Sequence, residues 1–310
     1  MNTKQNSYGK WFVKLFIILA AFILVDFLVG LTMRKIEAIA LKKSPFAMQT
    51  DYVIREVHDD VLIFGASEVA HSYIPQIIRD TLQMSVYNCG NDGTPPYYHL
   101  AAVNSVLSRY TPKVILLSVS PMWLSENSND RLSMLNPFYK DFSYCRYVVN
   151  KKSEYEFLKC NLNSYLYNSF FYDYVSCIIK PKNDFEYGRY LPLKGTDSDL
   201  ALQERDLSTA FPYSPELASD FSNTLKVCKE KGVKVVLVFT PRYEKSDYSK
   251  LVNYEQIKNI AEENDAVLIE DYYRNPLINK ECYFKDFAHL NDEGAKIFSV
   301  LLAQRLKSTL

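Results

Sequence analysis

Five short runs of apolar, largely β-branched residues, each separated from the next by helix-like sequence, constrain the fold of this chain more than any other feature. They fall at residues 61–64, 85–88, 114–119, 233–239 and 266–269. Helical patterns occupy 75–82, 98–109, 215–231 and 254–263, and a last helix begins near Asp292. Runs that are apolar throughout, rather than alternating, belong to strands covered on both faces, which is the signature of a parallel sheet between helical layers. The expected fold is therefore a three-layer α/β/α, flavodoxin-like domain with a five-stranded parallel sheet. In such sheets ligands sit at the carboxyl ends of the strands. Ser67, residues 90–93 and residues 118–123 all fall there.

Ahead of this domain, residues 15–33 form an apolar run interrupted only by Asp26, long enough to cross the hydrocarbon core of a bilayer. A cleaved signal peptide is the competing reading, because Ala38-Ile39-Ala40 imitates a cleavage site. Arg34, Lys35 and Glu37 intervene and the apolar stretch is too long, so an uncleaved transmembrane anchor is expected. Asp26 is costly in lipid, by about 2.5–3.5 kcal/mol on insertion scales, unless it is protonated, paired or less deeply inserted. Lys4, Lys10 and Lys14 precede the run and Arg34, Lys35, Lys42 and Lys43 follow it, so flanking charge gives no orientation. Long domains cross membranes largely regardless of such charge, which leaves an exported domain as the expectation. The implied organisation is a cytoplasmic tail and anchor over 1–34, a connector over 35–58 and the α/β domain over 59–310. A block rich in Tyr, Phe, Asn and Ser at about 124–211 interrupts the alternation. It leaves the third strand at its carboxyl end, so it is expected to cap the site.

Of the 310 residues, 36 are Lys or Arg and 36 are Asp or Glu, and no basic cluster is interleaved with aromatics. A nucleic-acid partner is not expected. The six cysteines form no C-x-x-C pair and their histidine neighbours do not match zinc spacing, so no metal or other cofactor is implied.

The chemistry lies in two distant segments. Asp286-Phe287-Ala288-His289, just before the last helix, sets a carboxylate three residues ahead of one of only 4 histidines. On a tight loop the carboxylate can hold Nδ1–H and leave Nε2 free as a base. Upstream, Phe64-Gly65-Ala66-Ser67 runs from a buried strand into a Gly-x-Ser turn, which offers a nucleophile. Gly65, Gly90, Gly93 and Gly294, from a total of 9 glycines, fall in the segments that would shape such a site. Taken singly, Ser67 suits a turn or helix cap and His289 a structural role; together, and at strand ends, they suit acyl transfer through a serine.

With these residues in view, the sequence resembles the SGNH, or GDSL-like, hydrolase family. Phe64-Gly65-Ala66-Ser67 matches its first block, Tyr87-Asn88-Cys89-Gly90-Asn91-Asp92-Gly93-Thr94 its second, and Asp286-Phe287-Ala288-His289-Leu290-Asn291 its fifth. The likeness is strongest to membrane-anchored bacterial members, whose first block continues into a histidine and a tyrosine, here His71 and Tyr73. It covers roughly residues 60–306 apart from the cap block. The resemblance implies Ser67 as nucleophile, His289 as base, Asp286 as its orienting partner, and the backbone N–H groups of Ser67 and Gly93 as oxyanion donors. The third block departs: the family's Gly-x-Asn-Asp is replaced by Leu117-Ser118-Val119-Ser120-Pro121-Met122-Trp123, without the Asn that donates to the oxyanion. Ser120 and Asn91 are candidate substitutes, and His71 and Arg242 candidate substrate contacts. The expected activity is a membrane-anchored serine esterase or acyltransferase acting on an acylated carbohydrate of the cell envelope or another ester. The alternatives are a non-catalytic SGNH-fold binding or assembly protein and a lipid-directed esterase.

Overall fold

A computed structural model describes residues 2–44, 48–125, 130–168, 170–181, 188–204, 211–245, 248, 251–270 and 275–310. The chain divides into two compact units, Met1–Pro45 with Ser133–Lys182, and Phe46–Leu132 with Asn183–Leu310. Of the block expected as a cap, residues 133–182 thus group with the N-terminal segment, and its remaining parts belong to the sheet-containing unit.

In the first unit, helix α1 (Asn2–Lys43) carries a stretch with mean hydropathy 2.7 that is 6% buried. By length and composition it can cross a membrane. Four short helices accompany it: the pair Ser143–Asn150 and Glu156–Lys159, then Asn163–Tyr167 and Phe171–Ile179. Asp26 accepts hydrogen bonds from the backbone N–H groups of Asn163 and Ser164, each at 2.9 Å, and from the Ser164 hydroxyl at 2.7 Å. The first N–H groups of a helix lack intrahelical acceptors. Asp26 supplies them for Asn163–Tyr167, so the charge inside the apolar run has an internal partner.

In the second unit, the chain alternates strand and helix as the apolar runs require. Strands β1 (Val61–Phe64), β2 (Val86–Asn88), β3 (Val114–Ser118), β4 (Lys234–Val238) and β5 (Val267–Ile269) form one parallel sheet in the order β2-β1-β3-β4-β5. Every residue of β1, β2 and β3 is buried, as expected of strands covered on both faces. One helical layer includes α2 (Ser67–Ser72), α3 (Pro75–Leu82) and the C-terminal helix Asp292–Thr309, whose Phe298, Leu302 and Leu306 share a core with Val61, Ile63, Leu116 and Val236. Helices Pro96–Leu107, Pro215–Glu230 and Val252–Glu263 complete the alternation. The expected α/β fold is the one observed, with strand ends shifted by a residue at most.

The sheet order places a topological switch between β1 and β3. From β1 the chain goes to β2 on one side, then crosses to β3 on the other, which opens a crevice at the carboxyl ends. Two devices hold the β2 side of that crevice. Buried Asn88 donates to the carbonyls of Val69 (2.7 Å) and Tyr73 (2.9 Å) and accepts from Gly90 N–H (2.8 Å). Residues 188–191 run along the outer edge, with Asn88 N–H donating to Gly188 at 3.0 Å and Leu191 N–H to Ala70 at 2.9 Å.

Replacing Asn88 by Leu strips these buried groups of partners, at about 1–3 kcal/mol per unsatisfied group. The expected outcome is a loss of about 2–4 kcal/mol in urea unfolding of the detergent-solubilised chain, monitored by near-UV circular dichroism.

Candidate active site

The turn after β1 admits no side chain at position 65. A Cβ on Gly65 would stand 2.3 Å from Val69 Cγ2 and 2.9 Å from Ser118 Cβ. The chain passes close to β3 here and enters α2 with Ser67 as its first residue. Glu68 folds back so that its Oε1 accepts the Ala66 N–H at 3.1 Å. The carbonyl of Gly65 accepts the N–H of Asn91 at 3.1 Å, which ties the loop after β2 to the same turn.

Asp286 and His289 are brought together by a local turn. Asp286 Oδ1 accepts the N–H groups of Ala288 (2.7 Å) and His289 (2.9 Å), an arrangement that short Asp side chains favour. The same carboxylate lies 2.9 Å from His289 Nδ1 through Oδ2. Behind the loop, Asn291 caps the C-terminal helix by accepting Gly294 N–H at 3.0 Å. A carboxylate can only accept, so Nδ1 carries the proton and Nε2 presents its lone pair. Ser67 Oγ stands 2.7 Å from that Nε2. Burial raises the Asp286 pKa, but hydrogen bonds from His289 and the Ala288 backbone outweigh it, and the carboxyl is held below its usual range. The carboxylate therefore stays ionised wherever the imidazole needs it.

A second histidine stands beside the first. The His71 ring meets the His289 ring edge-on at 5.7 Å between centroids. Its Nδ1 is 2.7 Å from the Leu191 carbonyl and its Nε2 is 3.3 Å from Asp92 Oδ2. Both partners only accept, so both bonds are satisfied together only by the imidazolium. Burial lowers the His71 pKa, but the Asp92 and Leu191 hydrogen bonds win and the net direction is upward. Arg189, held in the left-handed region with φ 54, donates to the Gly90 carbonyl at 2.9 Å. Gly93, also left-handed at φ +67, follows Asp92, and a Cβ there would lie 3.5 Å from Arg131 Cζ.

A cavity of about 230 Å³ adjoins the Ser67 turn. Ser118, Ser120, Met122, Trp123 and Thr240 line it, with Phe239 and Arg242 on the β4 side. Arg242 is paired with Glu244 at 2.9 Å and Trp123 packs on Phe221 at 4.8 Å between centroids. Tyr73, Thr240 and Ser118 form a buried hydroxyl chain with links of 2.7 and 2.8 Å across the floor. His99 lines the same cavity; burial pushes its pKa down to about 3, and Nε2 pairs with Thr94 Oγ1 at 3.0 Å.

Of the residues singled out in the sequence, Ser67, His289 and Asp286 meet, His71 stands beside them, and Ser120 and Arg242 face the cavity. Asn91 does not: its amide donates to Thr50 (3.2 Å) and Tyr98 (3.0 Å) in the interior. Asp92, Arg131 and Arg189 had not been picked out. Asp92 had a legible signal in the Asn-Asp-Gly turn after β2, whereas Arg131 and Arg189 lie in or beside the block without periodicity.

The fold is α/β, a five-stranded parallel sheet between helices. Among solved structures, the chain is similar to a GDSL-like lipase from Bacteroides thetaiotaomicron VPI-5482, with 12% identity over 81% of this chain and 88% of that one, at a TM-score of 0.37. It is also similar to a gut microbial diltiazem-metabolizing enzyme, with 13% identity over 80% of this chain and 47% of that one, at a TM-score of 0.38. No family model and no curated protein matches it. Likenesses this distant say nothing about activity, so the functional reading rests on the site itself.

The His71–Asp92 pair predicts a pH-dependent contribution to stability. His71 has a raised folded pKa, so its share is full below its unfolded pKa of about 6.5 and fades as pH rises through the folded value. Asp92 is held below its usual range, chiefly by the His71 hydrogen bond, so its share is lost as pH falls through its own folded value. His71→Gln should therefore cost about 0.5–1 kcal/mol near pH 5.5, in keeping with a half-exposed pair, and close to nothing near pH 8.5. Thermal melts of both proteins at the two pH values check this.

Proposed function

We propose that this chain is a serine esterase or acyltransferase acting on ester-linked acyl groups. The observation that carries the reading is the line of contacts from Asp286 through His289 to Ser67, with Oγ 2.7 Å from Nε2. In this reading His289 Nε2 takes the Ser67 proton as Oγ bonds to the acyl carbon, and the carbonyl π pair moves onto oxygen. Asp286 keeps the imidazolium oriented and stabilised. Collapse of the intermediate breaks the bond to the alcohol, which leaves with the proton from His289. Water, activated in turn by His289, releases the acid; a sugar hydroxyl in place of water makes the reaction a transfer.

The oxyanion in this scheme is held by the backbone N–H groups of Ser67 and Gly93. Arg131 packs against Gly93 and supplies positive charge there, whereas Asn91 is committed elsewhere. The cavity wall of Met122, Trp123 and Phe239 suits the apolar part of an acyl group. Long apolar α1 supports a membrane-anchored enzyme, and an exported domain acting on O-acyl groups of envelope polysaccharide is the reading that anchor favours. Acylated carbohydrate is the proposed partner, with no cofactor in the mechanism.

A fluorophosphonate probe should label the wild type and leave Ser67→Ala and His289→Gln unlabelled. Hydrolysis of p-nitrophenyl acetate should depend on Ser67 but run slowly, since losing one oxyanion donor removes about 10²–10³ in rate. Absence of both labelling and any Ser67-dependent hydrolysis would leave a binding protein with a hydrolase fold.

The role of Arg131 has its own test. Arg131→Ala should lower kcat on p-nitrophenyl acetate by about 10-fold or more with little change in KM, as for an interaction made chiefly in the transition state. Arg131→Lys should recover part of the loss. A change confined to KM would place Arg131 in ground-state binding instead.

A further inference from the structure

Asp26 divides α1 into two halves with different surroundings. At about 1.5 Å per residue, the apolar run 15–33 rises roughly 27 Å, close to the hydrocarbon thickness of about 30 Å, and Lys10 and Lys14 stand before it. Over the half before Asp26 the large residues are bare: Trp11, Phe12, Phe16, Ile18 and Leu24 are each more than half exposed. From Asp26 onward one face of the helix has protein neighbours, while Phe27, Leu28 and Leu31 stay 55%, 51% and 44% exposed. Asn163 and Ser164 bond Asp26, Tyr167 reaches Glu37 at 3.5 Å, and Lys43 Nζ donates to the Ile178 carbonyl at 3.2 Å. The segment from 163 to 178 thus ascends alongside α1 from residue 26 to residue 43, a rise of about 25 Å.

The chain that arrives at the Asp26 level carries an unusual surface. Tyr155, Phe157 and Leu158 are 57%, 52% and 56% exposed, and Leu162, directly before the contact, is 37% exposed. Phe171 is 53% exposed and lines an apolar groove with Val25, Leu28 and Val29 of α1. Two lysines stand at the same level. Lys140 Nζ reaches the Asn161 carbonyl and Asn163 Oδ1, and Lys159 adjoins Phe157 and Leu158 in sequence and is exposed. Bulky apolar and aromatic side chains ringed by lysines suit the headgroup boundary of a bilayer, where rings and acyl-chain ends meet phosphate.

We infer that Tyr155, Phe157, Leu158, Leu162 and Phe171 form a second membrane contact, dipping into the phospholipid interface beside the span. The inference rests on the reading of α1 as a transmembrane anchor. Continuity selects lipid over a protein occupant: the exposed apolar surface of α1, which runs on through Phe27, Leu28 and Leu31, passes into this patch through the groove that Phe171 shares with Val25 and Leu28. Asp26 is compatible with this contact, since its carboxylate is bonded by backbone N–H groups of the chain that carries the patch.

The test uses the full chain with Cys282→Ser, because the other five cysteines are buried. Single cysteines at Leu19, Phe157, Leu158 and Ile179 are labelled with an environment-sensitive NBD maleimide, and the protein is reconstituted in phosphatidylcholine–phosphatidylglycerol vesicles. Lipids carrying a doxyl quencher near the headgroup or deep in the chain then report depth. Leu19 should be quenched best by the deep label, and Phe157 and Leu158 best by the shallow one. Ile179, about 25 Å further along α1, should be quenched by neither. Quenching at Leu19 without quenching at Phe157 and Leu158 overturns the inference while the anchor stands, and leaves the patch to a protein or a second copy. Absence of quenching at Leu19 as well overturns the anchor along with it.

Discussion

Strand β1 carries the candidate site because it is paired on both sides. Val61, Leu62 and Ile63 face Val86, Tyr87 and Asn88 of β2, and face Val114, Ile115 and Leu116 of β3. Side chains alternate faces along a strand, so a slip of one residue would turn the whole apolar set over. With four fully buried residues, β1 has one register that satisfies both neighbours. That register fixes where Phe64 ends and where Gly65 must pass beside Ser118. It also fixes the carbonyls of Ile63 and Gly65, which take the N–H groups of Cys89 and Asn91. The Ser67 turn and the loop bearing Asp92 and Gly93 are thus set by one strand end, and neither can move without loss of sheet pairing.

Charge around Ser67 is arranged in alternation. Asp286 stands behind His289, Asp92 stands behind His71, and the two rings meet at an edge. A carboxylate behind each imidazole means that the cation on His71 is largely compensated before it reaches His289. Arg189 and Arg131 then add positive charge on the side of the loop after β2, away from Asp286. In the proposed mechanism, positive charge on that side favours a developing oxyanion, whereas Asp286 favours the imidazolium that forms with it.

How much of this was legible follows from how far each partner lies in sequence. The sheet could be read because a buried parallel strand declares itself in four or five consecutive residues, and the structure moved the ends of the strands by one residue or less. Asp286 and His289 could be read because three residues on a turn fix their distance. The match of Ser67 to His289 required the fold, but their positions at strand ends were visible. The surroundings were not. Arg189 lies in a stretch with no period and is useful through its backbone as much as its side chain, since residues 188–191 cover the edge of β2. Asn91 looked like an oxyanion donor from its place in the loop. Its amide instead pairs with Thr50 and Tyr98, because a buried amide needs partners and two hydroxyls lay within reach.

Asp26 and Asp286 make the same point from opposite sides. Each is a carboxylate in an environment that penalises charge, and each is relieved by backbone N–H groups together with side-chain donors, His289 for Asp286 and both Asn163 and Ser164 for Asp26. For Asp286 the donors lie two and three residues away, so its role can be read directly from the sequence. For Asp26 they lie 137 and 138 residues away. Sequence alone can say only that such a residue must be neutralised, paired or placed at a boundary. The structure shows the second: the carboxylate is paired because the chain returns to it, and the returning chain brings the apolar side chains and lysines of the inferred membrane contact.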